Sequence, residues 1–181
     1  MYLRKLEIKD AEGMLEWMHD VEIQKNFRFN TDNKTLEDVI GFIAAAVTEP
    51  IEGKSIHFAI ADDETDEYLG TISLKDVDLV AKNAEYAICL RKKAQGKGIG
   101  TEATNEILKK AFFSFGLERV YLNVLAENTG AIQLYEKCGF IYEGEFRNHL
   151  FLRGNYKSLK WYSMLKEEFN EMNKCKEMKR G

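Results

Sequence analysis

The feature that most constrains the fold is a glycine-rich loop, RKKAQGKGIG, at residues 91–100. It follows a strand-like segment, residues 84–90, and precedes a segment in which apolar residues recur at helical spacing, residues 101–116. A loop that leaves a strand and enters a helix presents unpaired backbone N–H groups and the positive end of the helix dipole. The loop therefore predicts an α/β unit that binds phosphate or pyrophosphate, with a solvated tight turn as the plain alternative.

Two known nucleotide-binding patterns can be tested against this loop. The P-loop pattern fails, because Lys97 is followed by Gly98 where serine or threonine is required. The dinucleotide pattern fits poorly, because the three glycines come after several strands and not after the first. The arrangement that does fit is Gln95-x-x-Gly98-x-Gly100, placed between a strand and a helix.

The composition indicates a single soluble domain. The chain has 181 residues, of which 45% are hydrophobic and 31% are charged. The net charge of −4 argues against nucleic acid as a partner, and the absence of a long apolar run argues against a membrane partner. An odd number of cysteines and no signal-peptide pattern indicate a cytoplasmic protein, and the three scattered histidines indicate no metal site.

Periodicity predicts the order β-α-α-β-β-β-α-β-α-β-β, which is one mixed α/β domain. Asp10 is expected to cap the first helix, and Thr35 with Asp38 resembles a capping box for the second. A short helix is expected from Asn128 to Gly139. We expect the domain to span residues 1–167, followed by a polar tail at 168–181 that frays or packs loosely.

A second block, VLAENTGAIQLYEKCGF at residues 124–140, strengthens the interpretation of the loop. Together the two blocks resemble the GNAT superfamily of acyl-CoA N-acyltransferases, which carries Q/R-x-x-G-x-G/A followed by E-N-x-x-A-x-x-x-Y-x-x-x-G-F. The resemblance extends over about residues 1–167 and is greatest to the ribosomal-protein N-terminal, spermidine-type and aminosugar acetyltransferase branches. It implies a central, largely antiparallel sheet that splays between the strands on either side of the glycine-loop helix.

The resemblance also implies acetyl-CoA as the acyl donor and a set of residues that hold it. The pyrophosphate would lie on the loop, at Gln95, Gly96, Lys97, Gly98, Ile99, Gly100 and Thr101. The pantetheine arm would pair with the strand edge formed by Ile88, Cys89 and Leu90, as in β-augmentation. The N–H of Leu90 would face the thioester oxygen, and Asn128 and Ala131 would line the arm from the next helix.

Tyr135 is the predicted general acid, because it shares one helix face with Asn128 and Ala131 and a phenol can protonate a departing thiolate. A core position is the alternative for this tyrosine. Glu85 is the predicted general base, directly or through water, with a salt-bridged carboxylate as the alternative. His149 is another candidate base. Cys89 and Cys138 are expected to be small buried residues and not nucleophiles.

The acceptor is expected to be a primary amine that attacks the thioester directly, without an acyl-enzyme. Neutralising a polyamine at pH 7.4 costs about 4 kcal/mol and neutralising an α-amine costs under ~1 kcal/mol, so only the polyamine needs a strong base. The irregular segment with Phe27, Arg28 and Phe29 would contact the substrate or cover the sheet. Lys157 and Ser158 replace an acidic position of many relatives, so no substrate contact is carried over from that strand.

The acceptor could be a small molecule or a peptide: a polyamine, an aminosugar, another small amine or a protein N-terminus. A homodimer is an open option. Two rival functions remain at this stage: a non-catalytic acyl-CoA-binding sensor or scaffold, and a nucleotide-binding module.

Overall fold

The computed structural model describes residues 1–178. The strands in this range form one seven-stranded sheet in the order β1-β2-β3-β4-β5-β7-β6. All neighbouring strands are antiparallel except β4 and β5, which are parallel. This confirms the predicted mixed α/β class with a largely antiparallel sheet. The strands are β1 Tyr2–Lys5, β2 Ile56–Ala61, β3 Tyr68–Asp78, β4 Asn83–Leu90, β5 Arg119–Leu125, β6 Ile141–Leu152 and β7 Asn155–Leu165.

Helices cover both faces of the sheet and bury two separate apolar clusters. The larger cluster joins the sheet to α4, α5 and α6, and the smaller joins it to α1, α2 and α3. The predicted order of elements is present, with the short helix α2 and the terminal helix α6 in addition. The helices are α1 Ala11–Met18, α2 Val21–Gln24, α3 Leu36–Ala45, α4 Ile99–Lys109, α5 Thr129–Lys137 and α6 Lys166–Met178.

The predicted helix caps are partly confirmed. Thr35 and Asp38 form the expected capping box at the start of α3. Asp10 stands at the N-cap position of α1 as predicted, but its side chain makes no cap hydrogen bond to that helix. The buried carboxylate of Asp10 instead accepts hydrogen bonds from the Arg4 guanidinium and from the backbone N–H of Glu7. The ion pair with Arg4 of β1 occupies the Asp10 carboxylate oxygens that a cap hydrogen bond would need.

The sheet splits between β4 and β5. Their parallel pairing covers only Asn83–Glu85 of β4 and Arg119–Tyr121 of β5. Beyond that point β4 stays paired with β3 as far as Leu90, and β5 stays paired with β7 as far as Leu125. The result is a wedge-shaped gap between β4 and β5, each of which remains hydrogen-bonded to its other neighbour, β3 or β7.

The end of the chain packs against the domain. Residues 166–178 form α6, and its Phe169 is fully buried against Phe112. The predicted boundary at residues 167 and 168 therefore falls inside a helix that contributes to the core, whereas residues 179–181 of the predicted tail lie outside the described part. Within residues 1–178, none of the helices combines the length and the apolar character that crossing a membrane requires.

Candidate active site

The glycine loop opens into space at the N-terminus of α4. Gly96 and Gly98 have φ angles of +71° and +81°, and a Cβ built at either position would meet nothing within 4 Å. Gly98 caps α4 without any side-chain hydrogen bond. The first N–H groups of this helix are therefore available to an anion, and positive φ lets the chain turn them toward one point. These residues fit a diphosphate.

The last residue of β4, Leu90, turns its backbone toward the wedge. The N–H of Arg91 donates to the carbonyl of Leu69 at 2.9 Å, and Gly70 is the residue opposite Leu90. Because bonded and non-bonded pairs alternate along an antiparallel ladder, the N–H and C=O of Leu90 point away from β3. The Leu90 carbonyl accepts from Gln95 Nε2 at 3.1 Å, which ties the loop to the edge of the wedge.

Tyr135 lies where α5 meets the same strand. Its side chain is 8% exposed, and its ring meets the ring of Tyr86 edge-on. Burial, and then the neighbouring Cys89 and Cys138, raise the pKa of the Tyr135 hydroxyl above the usual tyrosine value. The phenol therefore stays protonated at neutral pH, as a general acid requires.

Helix α5 begins at Thr129 with Asn128 as its N-cap, as the sequence predicts. The Asn128 Oδ1 accepts from the N–H of Ala131 at 3.2 Å. One face of α5 carries Asn128, Ala131 and Tyr135, at positions i, i+3 and i+7. These are the residues predicted to line the pantetheine arm and to act as the general acid.

Cys89 on β4 contacts the smaller apolar cluster, and burial raises the pKa of its thiol. A thiol that is held protonated is a poor nucleophile. This placement fits the prediction that Cys89 fills space in the strand and forms no acyl-enzyme.

Glu85 lies on β4 at the point where the sheet splits, with its side chain 13% exposed. Its Oε1 accepts from Arg28 at 2.8 Å, from Lys75 Nζ at 2.9 Å and from Asn123 Nδ2 at 3.4 Å. The structure thus places the predicted base beside the wedge, but with two cations on one of its oxygens. This is the salt-bridged arrangement that the sequence left open.

The segment between α2 and α3 brings Arg28 to the wedge, while its two aromatics pack elsewhere. Phe27 contacts Trp17 edge-on and stacks on Phe29, which is 60% exposed. Phe27 therefore packs against the smaller apolar cluster, and Phe29 projects toward solvent. The other candidate base, His149, is exposed on β6 against the ring of Phe146.

Three polar residues beside Glu85 were not singled out from the sequence. Lys75 lies on β3 directly opposite Glu85, and Asn123 and Trp161 lie opposite each other on β5 and β7. A polar residue within an alternating strand is a common pattern, so the sequence gives no signal that these three share a site. Only the pairing of the strands brings them together.

Comparisons with known proteins identify similar sequences and a similar fold. A family model described as an acetyltransferase (GNAT) domain matches residues 1–141. The N-acetyltransferase p20 of Bacillus licheniformis is 31% identical over 169 residues, which cover 92% of this chain and 93% of that protein. The spermidine N(1)-acetyltransferase of Vibrio cholerae is 30% identical over 175 residues, covering 92% and 94%.

A solved structure of the Vibrio cholerae spermidine N-acetyltransferase, in complex with CoA and spermine, has the same fold. It superposes with a TM-score of 0.81 over 93% of this chain and 97% of that chain, at 24% sequence identity.

Proposed function

Because the chain belongs to the GNAT acetyltransferase family, we propose that its split sheet carries acetyl transfer from acetyl-CoA to a primary amine by direct attack. N-acetyl transfer from acetyl-CoA is the activity of the family. The observation that carries the assignment of residues is the wedge between β4 and β5, with the glycine loop at its mouth and Tyr135 beside it.

The glycine loop is assigned to the pyrophosphate of coenzyme A. The open space over Gly96 and Gly98 and the uncapped start of α4 support this role. The exposed side chain of Lys97 adds positive charge at the same place, where a charge-assisted hydrogen bond to phosphate is about twice as strong as a neutral one. The amide-rich pantetheine arm can pair with the free edge of β4 from Ile88 to Leu90.

The Leu90 N–H is assigned to the thioester oxygen, because it points into the wedge. Negative charge develops on this oxygen as the amine attacks, and a fixed N–H donor stabilises it. The amine nitrogen forms a bond to the acetyl carbon, and the carbon–sulfur bond breaks. Tyr135 gives its proton to the sulfur. The nitrogen loses one proton to solvent, and the phenolate of Tyr135 takes one proton back from solvent.

Glu85 is assigned a positioning role and not proton removal. Three donors already converge on its Oε1, two of them cationic. A site of this kind suits an amine that is partly neutral in solution and needs no strong base.

An assay of coenzyme A release tests the proposal. The protein is incubated with acetyl-CoA and each of four amines: spermidine, glucosamine and two peptides with free N-termini. We expect free thiol with at least one amine, and melting stabilised by coenzyme A but not by NAD or ATP. At about 100 times its Kd, a ligand adds ~2.7 kcal/mol.

Two results would overturn the proposal. Stabilisation by coenzyme A without thiol release from any amine would indicate a non-catalytic acyl-CoA binder. Stabilisation by NAD or ATP alone would indicate a nucleotide-binding module.

A further inference from the structure

The ion-pair cluster around Glu85, on the acceptor side of the wedge, contains two cations and one carboxylate. Arg28 and Lys75 both bind Oε1 of Glu85, at 2.8 and 2.9 Å, and their side chains remain 33% and 28% exposed. Two cations share one carboxylate, so this cluster has a net charge of about +1 at neutral pH. An anionic group can therefore bind here, whereas a polyamine with several positive charges would be repelled.

The sheet by itself makes this cluster neutral, and Arg28 from the α2–α3 segment supplies its net positive charge. Lys75 and Glu85 are opposite residues of the β3–β4 ladder, so their ion pair is fixed by the sheet itself. Arg28 comes from a segment without regular structure. Even with Arg28 withdrawn, Lys75 still neutralises Glu85 and leaves no free carboxylate there for a cationic acceptor.

Two polar atoms next to this cluster lack a partner. Asn123 Oδ1 and Trp161 Nε1 are buried, and neither has a hydrogen bond to any group in residues 1–178. They lie on opposite residues of the β5–β7 ladder. Buried polar atoms are nearly always satisfied, so an orphan acceptor and an orphan donor indicate groups that a bound water or a ligand satisfies.

The two subsites adjoin, because Asn123 Nδ2 and Arg28 contact the same oxygen of Glu85. The acceptor amine can donate to Asn123 Oδ1 while an anionic group a few bonds away binds Arg28 and Lys75. An N-terminal aspartate or glutamate carries both groups, an α-amine and a side-chain carboxylate, in one residue.

We propose that the acceptor is the α-amine of a peptide or protein whose first residue is acidic, and that Arg28, Lys75, Asn123 and Trp161 select it. This inference rests on the proposed acetyl transfer and names its substrate class. The engaged state of Glu85 agrees with it: at pH 7.4 about a fifth of an α-amine is neutral, against about one part in a thousand of a polyamine amine.

The test compares kcat/KM for two peptides that differ only in the first residue, Asp or Asn, with spermidine as a third acceptor. Coenzyme A release from acetyl-CoA is the readout. We expect the Asp peptide to exceed the Asn peptide by about tenfold, since one charge-assisted contact is worth roughly that factor. Spermidine is expected to fall below both.

Variants separate selection from folding. Arg28→Met and Lys75→Met should bring the Asp/Asn ratio toward one, whereas Lys25→Met, an exposed residue of the same segment, should keep it. Arg28→Glu should reverse the order in favour of spermidine. Thermal stabilisation by coenzyme A, retained in each variant, shows that the fold and the cofactor site are intact.

Different results would contradict the proposed acetyl transfer and the proposed acceptor. If no amine is acetylated, the proposed function is wrong. If amines are acetylated but spermidine is preferred, or the Asp/Asn ratio of the parent is one, only the assignment of the acceptor is wrong.

Discussion

The ring of Tyr135 stands edge-on to the ring of Tyr86, with centroids 5.8 Å apart and planes at 86°. The Tyr86 hydroxyl in turn lies 2.8 Å from Oγ1 of Thr104 on α4. The proposed general acid is thus held by a ring that is itself anchored to the helix after the glycine loop. Removing the Tyr135 hydroxyl should leave this packing in place.

Tyr135→Phe is therefore expected to lower kcat by about 10²- to 10⁴-fold, the usual contribution of general acid catalysis. The affinity for coenzyme A, measured by calorimetry, should stay within about twofold, because the ring contacts remain. Tyr156→Phe, at an exposed tyrosine, is the matched control. Unchanged turnover in Tyr135→Phe would discard the assignment of the acid.

Gly98→Ala should weaken coenzyme A binding, because φ of +81° disfavours a side chain and the loop would relax. The strain costs about 1–2 kcal/mol of stability. Gly53→Ala is the control, since Gly53 has φ of +69° and equally open surroundings far from the loop in sequence. Both variants should unfold at lower urea concentration, but only Gly98→Ala should raise the Kd for coenzyme A. Equal Kd values would count against the loop as the phosphate site.

The stability of the protein should fall as the pH drops from about 6.5 to about 4 because of His57. Burial first, and then the charge of Lys75, lower the pKa of His57 from 6.5 to about 4. Between these values the unfolded chain binds a proton that the folded chain does not, so the stabilisation is full above pH 6.5 and is lost as the pH falls. We expect a loss of about 1 kcal/mol for this partly exposed ring.

Urea unfolding at several pH values checks this effect. His57→Gln keeps a donor for Ser73 but does not titrate, so its stability should depend less steeply on pH. An unchanged pH dependence would show that another group is responsible.

Arg4→Met should destabilise the fold by about 3–5 kcal/mol, because it leaves the buried carboxylate of Asp10 unpaired. Arg4 meets Asp10 with two nitrogens, each 2.8 Å from a carboxylate oxygen, and Asp10 is 1% exposed. Lys9→Met, at a half-exposed lysine that pairs with Asp66, should cost under about 1 kcal/mol. Similar losses in the two variants, measured by urea unfolding, would contradict this account.

Local patterns in the sequence predicted most of the fold. The strand RVYLNVL matches β5 from Arg119 to Leu125, and the cap at Asn128 starts α5 as expected. Local patterns failed where distant residues compete. In the sequence Asp10 resembles a helix cap, but in the fold its carboxylate binds Arg4 of β1. The continuous helix expected after the glycine loop changes to a π-helical turn at Lys110–Ser114.

The candidate site divides in the same way. The loop, Leu90 and Tyr135 lie in or beside two contiguous motifs and were named from the sequence, as were Glu85 and Arg28. The acceptor side joins Arg28, Lys75, Glu85, Asn123 and Trp161, which come from five separate segments. Arg28 and Glu85 are 57 positions apart, and no periodicity within either segment indicates that they meet.

The gap after Glu85 also has a consequence for the lifetime of the protein. Where β4 separates from β5, the backbone groups of Leu90 that face the gap have no neighbouring strand. An extended ligand can pair as a guest with this free strand edge. Such a guest shifts the folding equilibrium by mass action, and its concentration then sets the fraction of molecules open to proteases. The supply of acyl donor in the cell would thereby control not only the rate of acetylation but also how much enzyme survives to perform it.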